Sequence, residues 1–143
     1  MNIKAGIISG FVATIVLSII MVIKTKMGVM PELNAIKMLA GMMNAPLVMG
    51  WVAHFIIGTL VWGILFAMLV NKLPGNIITS AILFSIGAWL MMMIGPMPMA
   101  GAGLFGLKLG IMAPVATLML HIIWGVVLGL VYKRVTSQKV HLE

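Results

Sequence analysis

The chain has 143 residues, 63% of them hydrophobic and 8% charged, and a net charge of +7. A soluble domain carries about 25% charged residues, so a mean hydropathy of +1.25 points instead to an integral membrane protein, with one compact domain the natural count at this length. The absence of cysteine excludes disulfides, thiolate metal sites and CxxC redox chemistry.

A helix needs about 20 apolar residues to cross a hydrocarbon core of about 30 Å. The first such run covers about residues 5–23, between Lys4 and Lys24. It is too long for the apolar part of a signal peptide, and it ends in Lys24-Thr25-Lys26 rather than a small-residue cleavage site, so it reads as a retained span. In loop 1, Pro31-Glu32 is a helix-opening signal, and Leu33, Ile36, Leu39, Ala40 and Met43 recur at helical spacing. This predicts a short interfacial or re-entrant helix. The second run, about 47–70, closes at Asn71-Lys72. Loop 2, Asn71 to Gly75, is so short that spans two and three are expected to be antiparallel neighbours. The third run covers about 76–94. Loop 3, Gly95 to Gly103, is uncharged and rich in Gly and Pro, then resumes as Leu104 to Gly110 around Lys108. Such backbone at membrane depth must be covered by protein or face water, so a second short interfacial or re-entrant segment is expected here. The fourth run, about 111–132, ends at Tyr132-Lys133-Arg134. No run contains Asp, Glu, Lys or Arg. The fold class is therefore all-α, a polytopic membrane protein with four transmembrane helices. The last two residues, Leu142-Glu143, carry no function in this reading.

Most basic residues flank apolar runs, as headgroup anchors and topology determinants do, and no basic patch is interleaved with aromatics. That placement discounts nucleic acid and makes the lipid bilayer the partner. Lys4, Lys72, Lys133, Arg134 and Lys139 fall on one side, and Lys24, Lys26, Lys37 and Lys108 on the other. The small excess favours both termini in the cytoplasm.

The two halves resemble each other. Met30-Pro31 recurs as Met97-Pro98, and at the same offset His54 and Gly58 recur as His121 and Gly125. Ala45-Pro46 and Ala113-Pro114 match one residue out of that register, and Gly6-Ile7-Ile8-Ser9 loosely resembles Asn76-Ile77-Ile78-Thr79. A two-span unit returns to its starting side, so this would be a parallel repeat about an axis along the membrane normal. The alternative is chance likeness between apolar helices that share a small alphabet.

His54 and His121 are the only ionisable side chains inside the apolar runs, and such residues are functional candidates by default. Both lie roughly 10–12 Å down their helices from Pro46 and Pro114. Neutral imidazoles ligate haem iron, copper or zinc, and haem b or copper between the two is one reading. Gly58 and Gly125, one turn on, would leave room for a flat macrocycle. In the other reading each ring only satisfies a hydrogen bond, with Thr117 one turn before His121, or Ser9, Thr14, Ser18, Thr79 or Ser85, as partner. There are 16 methionines, and thioethers suit Cu(I). Met97 and Met99 stand in the irregular loop where sulfurs could converge. Met is equally an adaptable core filler. No catalytic set is visible, and Gly101-x-Gly103-x-x-Gly106 follows a membrane span rather than a strand, so it is no dinucleotide fingerprint.

The strings Ile86-Gly87-Ala88-Trp89-Leu90-Met91-Met92-Met93, Pro98-Met99-Ala100-Gly101-Ala102-Gly103-Leu104-Phe105-Gly106, Met30-Pro31-Glu32-Leu33-Asn34 and Gly50-Trp51-Val52-Ala53-His54-Phe55 are distinctive. Together they resemble an uncharacterised bacterial family of small four-span membrane proteins known only as a domain of unknown function. The resemblance covers about residues 5–132 and implies four spans in a bacterial cytoplasmic (inner) membrane, with no activity to transfer. The leading expectation is a binding protein rather than an enzyme, holding haem or a metal between His54 and His121 for electron transfer or metal handling. The rivals are a small, homo-oligomeric transport or permeation module and an accessory subunit of a larger membrane complex.

Overall fold

The computed structural model describes residues 1–140, with side chains through Ser137. Leu142-Glu143 and the side chain of Lys139, counted above in the charge bias, lie outside the described residues. The elements run α1 (Ile3–Lys26), α2 (Ala35–Met42), α3 (Leu47–Ile56), a π turn (Ile57–Val61), α4 (Trp62–Leu69), α5 (Ile77–Ile94), α6 (Pro96–Met99), a 3₁₀ segment (Leu104–Leu109) and α7 (Met112–Val140). Four stretches are long and apolar enough to cross a membrane: Ile3–Lys26, Leu47–Leu69, Ile77–Met99 and Met112–Ser137.

Asparagine side chains set three of the helix starts. Asn2 accepts from the Ala5 N–H, Asn34 from Ile36 and Lys37, and Asn76 from Ile78 and Thr79, each satisfying amides that a helix N-terminus leaves free. In loop 1 this cap overrides the Pro31-Glu32 signal, so α2 opens at Ala35. The residues before it form a turn with Met30 at φ 45°. Lys24 Nζ holds that turn, donating to the carbonyls of Val29, Met30 and Leu33 at 3.0, 2.8 and 3.0 Å. The fourth helix runs on past Tyr132-Lys133-Arg134 to Val140. Charge marks where a helix leaves the bilayer, not where it ends, because Lys and Arg are good helix formers in water.

The tightest helix pairs are α5 with α7, α1 with α7, and α1 with the α4 span. Spans two and three, expected to be neighbours, meet mainly through aromatic rings. Phe84 lies 5.8 Å from Trp62 and 5.4 Å from Phe66. Glycines account for the tight pairs, since small residues let membrane helices approach closely. A Cβ on Gly58 would collide with Thr14 of α1, and one on Gly125 would collide with Ser85 and the Ala81 carbonyl of α5. Thr14 and Ala81 are themselves separated by the offset of 67 that relates His54 to His121. The two hairpins therefore cross at equivalent points, which the sequence match alone did not require. The front match, Gly6–Ser9 with Asn76–Thr79, is three residues out of this register.

A second pair of contact glycines explains the π turn. On α7, Gly129 follows Gly125 by four residues and faces Ala81 and Ile78. On the second span, Gly63 follows Gly58 by five residues, yet still faces α1, with Gly6 against it. In an α-helix a five-residue step would swing Gly63 away from α1. A π turn, bonded i to i+5, closes one turn in about the residues available. The first half thus carries one extra residue between its contact glycines and absorbs it as Ile57–Val61. Thr59, inside this turn, has the one buried side-chain hydroxyl that lacks a partner among the described residues.

The side chains form two apolar clusters. Toward the termini lie Phe66, Phe84, Trp124, Leu128 and Tyr132. Toward loops 1 and 3 lie Leu33, Met93, Met97, Ala102 and Ala113, with Met30, Met38, Trp89 and Met92 packed around them. The loop 1 helix α2 lies on α3, where Gly50 allows the Ile36 carbonyl to approach. The 3₁₀ segment packs in the corresponding place on α7. Loop 3 is less irregular than its composition suggests, since Pro96–Met99 forms a helical turn. Phe105 and Gly106 then take positive φ of 56° and 67°, and Gly106 fits closely beside Met97 and Ala113.

Candidate functional site

Between the two loops lies an open-mouthed cavity of about 560 Å³. Its wall draws on every span and both loops. Loop 1 supplies Glu32 to Met42 in part, including Lys37 and Met38, and loop 3 supplies Met97, Met99 to Ala102 and Leu109. The spans supply Leu17, Met21, His54, Met92, Thr117, Leu120 and His121. None of the buried aromatic residues of the other cluster lines it. The two histidines that the sequence singled out thus share one cavity, in company with Met97 and Met99.

Hydrogen bonds fix the tautomer of each ring. Ser18 Oγ donates its one proton to the Thr14 carbonyl, 2.7 Å away. It can therefore only accept from His54 Nε2, at 3.2 Å. His54 carries its proton on Nε2, and the Nδ1 lone pair has no protein partner among the described residues. At His121 the Nδ1 atom lies 2.8 Å from the Thr117 carbonyl. A carbonyl only accepts, so Nδ1 is protonated and the Nε2 lone pair has no partner among the described residues. Trp51 and Phe55 stand edge-on to His54, with ring centres 6.2 and 5.8 Å away, and help to hold it.

Thr117 acts on His121 through its backbone, not through the hydroxyl that the sequence suggested. That hydroxyl donates toward the Ala113 carbonyl at 2.8 Å and accepts from Trp89 Nε1 at 3.0 Å. Hydroxyls on membrane helices commonly bond back to the preceding turn, and here Trp89 takes the remaining lone-pair direction. Ser18, among the partners named from sequence, does bond His54. Ser85, its equivalent, bonds the Ile82 carbonyl at 2.8 Å and packs on Gly125 instead.

Gly58 and Gly125 do not line the cavity. The space beside them is filled by Thr14 and by Ser85 with Ala81, and Gly50 is likewise filled by α2. Small residues beside a histidine read the same in sequence whether they clear room for a ligand or for another helix. The clearance expected for a flat macrocycle at these glycines is taken up by helix packing. Among the described residues no group of three or more His, Cys, Asp and Glu could hold a metal ion. Any metal here would need donors of other kinds besides the two histidines.

The loop 1 contribution was not legible in advance. Glu32, Lys37 and Met38 come from a segment read only as a short helix. The signal that could have found them is the repeat, because the offset of 67 lays Met30 on Met97 and Ala35 on Ala102.

A family model for a family of unknown function, DUF6789, matches residues 1–143. The chain belongs to the DUF6789 family. No curated protein and no solved structure matches it. Membership in DUF6789 agrees with the resemblance drawn from the sequence and brings no activity with it.

Proposed function

We propose that this DUF6789 protein is a membrane-embedded binding protein whose ligand occupies the cavity between loops 1 and 3. One observation carries the reading. Two imidazoles, each fixed by a hydrogen bond on one nitrogen, line the same largely apolar cavity, and their second lone pairs have no partner among the described residues. A mostly apolar wall with a few oriented polar groups is what small-molecule and cofactor sites have in common, and a volume of about 560 Å³ lies within their usual range. Imidazoles that served only to satisfy a packing hydrogen bond would not need to share a cavity. Among the described residues of the wall, the Thr117 hydroxyl is held by the Ala113 carbonyl and Trp89 rather than by a base, which favours a binding role.

The test uses the whole protein in mild detergent. Leu120→Trp narrows the cavity beside His121, and His54→Ala and His121→Ala remove the lone pairs. Each should abolish a co-purifying mass seen by native mass spectrometry, or the thermal stabilisation given by an added ligand. Retention of the same bound mass in all three variants would sink the reading.

The basic residues support placing both termini in the cytoplasm, and the family resemblance supports a bacterial inner membrane. Loops 1 and 3, and with them the mouth of the cavity, then face the opposite side. Reporter fusions after Lys72 and after Ser137 should both read cytoplasmic, whereas two external readings would invert the chain.

A further inference from the structure

The wall is chemically unusual in its sulfur. Met21 of α1, Met38 of α2, Met92 of α5 and Met97 of α6 all line it, so thioethers arrive from four separate elements. Met21 and Met97 are buried and Met38 and Met92 half-buried, which sets them apart from the many methionines that face lipid. With the two imidazoles, the wall offers neutral, soft donors. Its charged residues, Glu32 and Lys37, are both exposed and opposite in sign, so the mouth adds no net charge.

We propose that the cavity binds a soft monovalent metal ion, Cu(I), through His54 Nδ1, His121 Nε2 and thioether sulfurs of its wall; this rests on the ligand-binding reading above. Three arguments select this ion class. Thioether and imidazole donors suit Cu(I), whereas hard cations require several oxygens. A site built from neutral donors in an apolar surround leaves the full ionic charge unneutralised, so a single charge is tolerated better than a double one. Each imidazole also makes the orienting hydrogen bond that metal-bound histidines make on the nitrogen away from the metal: His121 to a carbonyl, His54 to a hydroxyl. The absence of a cluster of three or more His, Cys, Asp and Glu among the described residues is no obstacle, because the remaining donors are methionines. A haem is the poorer occupant, since the glycines that would clear space for its plane are covered by neighbouring helices.

The probes are Cu(I) under reductant and Ag(I) as its redox-inert counterpart, titrated into the intact protein in detergent. The expected result is one ion per chain, with nitrogen and sulfur neighbours in X-ray absorption. His54→Leu and His121→Leu should each weaken binding at least as far as roughly 100-fold, the upper reach of an effect on ligand orientation alone. His54→Met and His121→Met restore a soft donor and should recover much of the affinity. Met92→Leu and Met97→Leu, which keep side-chain volume, should each lower affinity and reduce the sulfur signal. Circular dichroism on every variant separates misfolding from lost donors, and the methionine rescue variants supply the decision if the leucine variants fail to fold. Binding that is indifferent to both histidines would overturn the proposal by placing the ion elsewhere. An organic molecule lost on His→Leu, with no Ag(I) or Cu(I) binding, would overturn the metal and keep the cavity as a ligand site. Absence of any ligand of either kind would overturn both.

Discussion

In the first hairpin Gly58 faces the side chain of Thr14, and His54 reaches across to Ser18 on the neighbouring helix. In the second, Gly125 faces Ser85 and the backbone of Ala81, and His121 bonds back to its own helix at Thr117. The crossing points are equivalent, yet the imidazoles are oriented by different partners. The residue one turn before the histidine differs as well, although the carbonyl that His121 uses is one that any residue there would offer. Gly50 on the first span makes room for α2, while Thr117 on the fourth binds Trp89. A repeat can therefore preserve what backbone packing demands and let each half find its own way to fix a polar side chain. The π turn is a second instance. The first half carries one more residue between its contact glycines, and the helix widens there to keep both against α1.

The largest effect should come from the glycine contacts, and it should be unequal. Gly125→Val meets backbone as well as a hydroxyl, so it should destabilise the fold by about 3 kcal/mol, at the upper end for overpacking. Gly58→Ala meets only the Thr14 side chain and should cost about 1–2 kcal/mol. Thr14→Ala should rescue Gly58→Ala in part, whereas Ser85→Ala should not rescue Gly125→Val. Unfolding in detergent micelles measures all four, and equal rescue in both halves would remove the distinction.

A smaller effect, of opposite sign, is expected at the π turn. Thr59→Val removes a buried hydroxyl that has no partner among the described residues, and relief of that penalty should stabilise the protein by about 1 kcal/mol. Deleting Thr59 altogether should convert the π turn to α-helix and leave Gly58 and Gly63 four residues apart, as Gly125 and Gly129 are. The deletion should fold. A deletion that unfolds the protein would show that the extra residue is required and not merely absorbed.

The smallest energy belongs to the histidine orientation. Ser18→Ala should cost about 0.6 kcal/mol, the mean for interhelical polar bonds in a membrane. Its clearer readout is nitrogen NMR. His54 should report a proton on Nε2 and His121 one on Nδ1, and Ser18→Ala should mix the tautomers of His54 alone. The same tautomer on both rings would contradict the difference between the halves. A cysteine at Ala102, which is 8% exposed, should also react more slowly with a membrane-impermeant reagent than one at Met27, which is 72% exposed. Equal rates would mean that loop 3 is not packed against the bundle.

Hydropathy and length determined the four spans by themselves, because no other element lets a 20-residue apolar run satisfy its backbone in lipid. The sequence likewise singled out His54 and His121, since ionisable side chains are rare and costly inside such runs. It did not determine helix ends, where an asparagine cap overrode a proline in loop 1 and solvated Lys and Arg prolonged α7. Nor did it determine what the glycines beside the histidines face, because room for a helix and room for a ligand call for the same small residue. Only the tertiary structure assigned Gly58 and Gly125 to helix contacts, placed Met38 and Glu32 in the cavity wall and gave the π turn its cause. Those outcomes depend on which helix lies opposite, and that is settled by contacts between residues far apart in the chain.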